Sequence, residues 1–182
     1  MKLLASVLLC FLAAWPTVFA EIEKIAVPGE KGISFYWWPR LRAVEGWHQD
    51  REHSFQYGVN AFAPNGFTFA TAETVMYARA IYKPRELEVK SLEMLIENDK
   101  KEFLVNTPGI LIEEVDSLTT AEGKRLRSFT FFPKRKGNWE RVSYGEEGDF
   151  FLIFTLSSRS SNGYKRAAST YKKLLWQYRE KP

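Results

Sequence analysis

From Phe55 to Phe62 the apolar residues Phe55, Tyr57, Val59 and Ala61 alternate with Ser54, Gln56, Gly58 and Asn60, the period of a half-buried strand. Pro64-Asn65-Gly66 turns the chain. A second strand is predicted over 67–70 and a third over 75–82, where VMYARAIY is apolar on both faces and Pro84 ends the run. Ser91 is placed to cap a helix in which Leu92, Leu95, Ile96 and Phe103 recur at helical spacing, and Pro108-Gly109 stops it near Asn106. Four β-rich segments follow, at 110–119, 124–132, 138–145 and 149–157, separated by the short tips AEG, PKRKG and EEG. Tips this short make antiparallel hairpins.

The last of these segments, FFLIFTL, is apolar everywhere but Thr155, so both of its faces need cover and it belongs in the middle of a sheet. Its cover on one side is the closing helix, where Tyr164, Ala167, Ala168, Tyr171, Leu174, Leu175 and Tyr178 recur at spacings of three and four with Lys165, Lys172, Lys173 and Arg179 opposite. The expected class is α+β, a mainly antiparallel sheet with helices on both faces, an α/β/α sandwich. No repeat or linker divides the chain, so residues 21–182 are expected to form a single domain.

Ahead of that domain stands MKLLASVLLCFLAAWPTVFA, with one lysine, an apolar run from Leu3 to Ala14, a breaker at Pro16 and small or apolar residues in Val18-Phe19-Ala20. This is the pattern of a secretory signal peptide cleaved after Ala20; the run is too short to span a bilayer, which takes about 20 apolar residues. The expected destination is outside the cytoplasm, in a bacterial periplasm, with no membrane span after cleavage. Cys10, the only cysteine, lies inside the leader, so the exported chain has neither disulfide support nor thiol chemistry. Lys2 also leaves with it, lowering a net charge of +4 by one. The remaining basic residues are scattered, and without aromatic and basic interleaving no nucleic-acid partner is implied.

The run GNWERVSYGEEGDFFLIFTLSSRSSNGYKRAASTYKKLLWQY, a strand, an acidic turn, a second strand ending in hydroxyl residues and a Tyr-bearing helix, resembles the closing half of the PsbP-like fold, named after an extrinsic subunit of photosystem II. The resemblance covers roughly the last 100 residues and carries no motif of known chemical role. It implies an exported, non-enzymatic binding or assembly module whose partner is an envelope protein or a small ligand.

Candidate chemistry concentrates in GWHQDREH, which holds both histidines. His48, Asp50 and His53 are suitable ligands for a divalent metal, giving a metal-binding protein or metal-dependent hydrolase as the alternative function. Five residues apart, the two rings share no face of a helix or strand, so only a curled loop would join them. A plain polar loop and a pH-sensitive pairing of one histidine with Asp50 are the other readings. Trp37, Trp38 and Trp47 flank the stretch and suggest an aromatic ligand-binding groove, with core packing as the alternative for at least one of them. No catalytic set emerges: Ser157, Ser158, Ser160 and Ser161 lack a G-x-S-x-G elbow and an evident base, and are expected to finish a strand and cap the last helix. Glu146, Glu147 and Asp149 read as a solvated hairpin tip, and Glu113-Glu114 point to opposite sides of a strand.

Overall fold

A computed structural model describes residues 22–29 and 32–179; the segment 1–20, read above as a signal peptide, lies outside them. Among the described residues nine strands and three α-helices make up the fold, and the sheet is antiparallel throughout. The chain runs β1 (Ile22–Gly29), β2 (Gly32–Pro39), β3 (Trp47–Gln49), α1 (Arg51–Tyr57), β4 (Asn60–Pro64), β5 (Thr74–Tyr82), α2 (Leu92–Asn106), β6 (Leu111–Thr119), β7 (Arg125–Phe132), β8 (Trp139–Glu147), β9 (Phe150–Ser158) and α3 (Ser161–Trp176). Strand order is β1-β2-β5-β9-β8-β7-β6, with β3 and β4 branching from β5.

β9 is central because its side chains feed two cores. Leu152, Phe154 and Leu156 point into one with Phe62, Met76 and Leu126, closed by Tyr171, Leu174 and Leu175 of α3. Phe151 and Ile153 point into the other with Phe129, Phe131 and Val142, closed by Leu95 and Ile96 of α2. The predicted layering, helix on sheet on helix, is therefore what the chain adopts.

α3 is brought onto the sheet through a glycine. Ser160 caps it by accepting from the Gly163 N–H at 2.9 Å, and a Cβ on Gly163 would stand 2.5 Å from Ser158 Oγ and 2.6 Å from Thr74 Oγ1. Those two hydroxyls share a buried hydrogen bond of 2.7 Å between β5 and β9, so the helix start rests directly on the strand ends.

Two expectations fail. The predicted strand from Phe55 to Phe62 is split: 51–57 is helical, and only 60–64 is extended. Asp50 supplies an N-cap, and Gly58, at φ 68, stops the helix with its N–H on Ser54 O. Seven residues are too few for a helical period to stand out against chance alternation. The segment 67–70 forms turns instead of a strand. Its backbone donors go to side chains, the Thr68 N–H to Thr71 Oγ1 at 3.0 Å and the Phe69 N–H to Asp50 Oδ2 at 2.8 Å, so no ladder forms. Residues 22–39, left open by the sequence, make a hairpin that extends the sheet at β5 through Trp37 opposite Ala80.

Candidate functional site

The GWHQDREH stretch folds into β3 and the start of α1, and its chemistry is absorbed by the fold. Asp50 Oδ1 accepts from the His53 N–H at 3.2 Å, while Oδ2 accepts from Phe69. His53 Nδ1 stands 2.9 Å from Asp50 Oδ2, close enough for an ion pair when the ring is protonated, but off the line of a hydrogen bond. Burial by itself would raise the Asp50 carboxyl; the donors from Phe69 and His53 hold it below the usual range instead. His48 lies on β3 opposite Ala63. Among the described residues no three His, Cys, Asp or Glu side chains gather where they could share an ion, so His48, Asp50 and His53 are not assembled as a ligand set. What forms is the pairing of His53 with Asp50, with Asp50 committed to capping α1 and tethering 67–70.

The tryptophans part company as well. Trp37 stacks on Tyr82 at 5.4 Å at the margin of the α3 core. Trp38, 3% exposed, packs against Phe55 at 5.6 Å. Trp47 lines a small depression beside Gly163 and Ala167 of α3. No single aromatic groove beside His48 unites them.

A polar cavity lies elsewhere, on the face that α2 covers only in part. α2 sits over β7 and β8, stacking Phe103 on Phe131 at 4.0 Å and receiving the Tyr144 hydroxyl on Asp99 at 2.9 Å. The rest of that face, between α2 and the turns after β4, is left as two depressions of about 460 and 360 Å³, which share Val59, Tyr77 and Glu140. Glu140 is the polar centre of the pair. It is 8% exposed and lies opposite Ser157 in the β8–β9 ladder; Ser157 Oγ donates to its Oε1 at 2.6 Å and accepts from Asn138 Nδ2 at 3.1 Å. Burial outweighs these donors and pushes the Glu140 carboxyl up. Asp99 is raised for the same reason despite its tyrosine donor, and burial together with the Glu140 charge lifts the Tyr77 hydroxyl far above its ordinary value. Arg79 lines the second depression with Asp99 and Glu102. At the outer rim Arg159 donates to Ala70 O, and Arg166 and Ser160 both hold Glu73.

No family model matches the chain, and no curated protein does either. The site must therefore speak through its chemistry.

Sequence reasoning passed over this groove and found no base near the serines, yet Ser157 touches Glu140. Two signals were present. In WERVSY, Glu140 shares a face with Val142 and Tyr144, an acid in an inward register. In the first long helix, Asp99 falls on the stripe of Leu92, Leu95, Ile96 and Phe103. Of the other serines, Ser160 caps α3 and Ser158 ends β9, as expected. Burial favours the protonated form of the one carboxyl that Ser157 touches, which makes the pair a fixed polar node more than an ionised base.

Proposed function

We propose that the chain is an exported, non-enzymatic binding or assembly module of the PsbP-like type, working in a bacterial periplasm, and that it holds a small ligand in the groove between α2 and the turns after β4. The observation that carries this reading is the buried Glu140, raised by burial and held by Ser157 in a cavity that the core does not fill. A cleft with apolar walls and a few fixed polar groups is the usual form of a small-molecule site. Val59, Val75, Tyr57 and Phe69 supply the apolar wall; Glu140, Asn138 and Ser157 supply the polar groups. The ligand this combination fits has a flat or branched apolar body and a hydrogen-bond donor for Glu140. The element order of the last half supports the family reading, and no helix among the described residues is long and apolar enough to cross a membrane.

A thermal-shift screen with amphipathic fragments tests the reading, run on the parent chain and on Val59→Arg, which sets a long charged side chain into the shared wall of both depressions. Hits that stabilise the parent, do nothing for the variant and are recovered chemically unchanged are the expected result. Hits that bind both chains equally, or that come back converted, would overturn it.

A further inference from the structure

A second groove lies beside the C-terminal end of α3, with a volume of about 870 Å³ and a different chemical character. Four arginines from three parts of the chain line it: Arg40 and Arg42 after β2, Arg51 at the start of α1, and Arg179 after α3. Among the described residues Glu23 is the one carboxylate in the lining, 4.0 Å from Arg40, so these residues give the groove a surplus of three positive charges. The whole 182-residue chain has a net charge of only +4. Positive charge that is diluted elsewhere is thus concentrated here. Arg42 and Arg179 are both solvent-facing, and neither meets a carboxylate among the described residues.

The floor is rigid. Asn60, 3% exposed, donates to Pro39 O at 3.0 Å and accepts from Gln49 Nε2 at 2.7 Å. Trp38, 3% exposed, lies in the same lining. Trp176, 60% exposed, offers a flat apolar face at the edge.

We infer that this groove is a binding site for a small organic anion carrying two or more carboxylate or phosphate groups. Guanidinium forks match both groups in pairs, and four arginines lining one groove against a single carboxylate among the described residues favour a multiply charged ligand over a single carboxylate. The inference is independent of the groove beside α2.

Isothermal titration of the full chain with citrate and with pyrophosphate tests it and separates the two chemistries, since the tighter of the pair identifies the group recognised. Either anion is expected to bind more tightly than about 1 mM. Arg42→Gln/Arg179→Gln should weaken it by roughly tenfold or more, the scale of a lost charge-assisted hydrogen bond. Lys134→Gln/Lys136→Gln, at the distant tip between β7 and β8, removes the same charge and should leave binding as it is. Equal loss in the two charge pairs would overturn the site, as would an absence of binding by both anions.

Discussion

Glu140→Gln keeps the shape of the side chain and an oxygen to accept from Ser157, and removes only the charge. Glu140 is 8% exposed, and burial, against the pull of Ser157 and Asn138, pushes its carboxyl above the ordinary 4.5. A carboxyl raised on folding holds more protons in the native than in the unfolded chain, so its contribution to stability falls as pH climbs from the unfolded value through the folded one and stays low above it. The glutamine variant lacks that decline. Below the unfolded value both side chains are neutral, and the two proteins should agree within about 0.5 kcal/mol. Well above it the variant should be the more stable, by about 1.4 kcal/mol for each pKa unit of displacement. For a chain of this size that corresponds to roughly 3–6 °C in melting midpoint per unit. Urea unfolding followed by circular dichroism across the acid-to-neutral range reads the gap directly. A variant less stable than the parent at neutral pH, or a gap that does not change with pH, would refute the reasoning and make Glu140 a structural partner of Ser157. Fragments that rely on Glu140 in the parent should lose affinity for the stabilised variant, so stability and binding move in opposite directions.

Asp50→Ala removes the cap of α1 and the acceptor for Phe69 together, and should cost about 2 kcal/mol at neutral pH by denaturant unfolding. Because its carboxyl is held low in the fold, that contribution is present above the unfolded value of 3.8 and fades as pH falls through the folded one, so the gap to the parent should close in acid. Gly163→Ala sets a methyl 2.5 Å from Ser158 Oγ and 2.6 Å from Thr74 Oγ1; the overlap should outweigh the helix propensity gained and lower stability by about 1–3 kcal/mol, read as a drop in denaturation midpoint.

Long elements with a clear period were legible. The runs 75–82 and 149–157 and the stripes of α2 and α3 each repeat their pattern over enough residues to outvote local exceptions, and they fall on β5, β9 and the two long helices. Short elements were not. α1 is defined by a cap and a left-handed glycine instead of a period, and the alternation of Phe55, Tyr57 and Val59 crosses its end without physical meaning. The β1–β2 hairpin joins the sheet edge through a single register pair, so little in its own sequence demands the pairing. The candidate site was hidden for a different reason. A histidine announces itself by rarity, whereas Glu140 and Asp99 belong to residue types that usually face water, and only the ladder and the helix face reveal that Glu140 is buried and Asp99 half-buried.

That contrast also separates the two kinds of polar group in this fold. Asp50 is fully used: its oxygens accept from His53 and Phe69, its carboxyl is held low, and its loss only destabilises. Glu140 sits in a β8–β9 pair where two valines would complete the strand face without a buried charge, and the carboxyl it carries is destabilised by its surroundings. A group that weakens the fold while lining a cavity has to be explained by something outside the fold, such as a ligand donor that the carboxyl accepts.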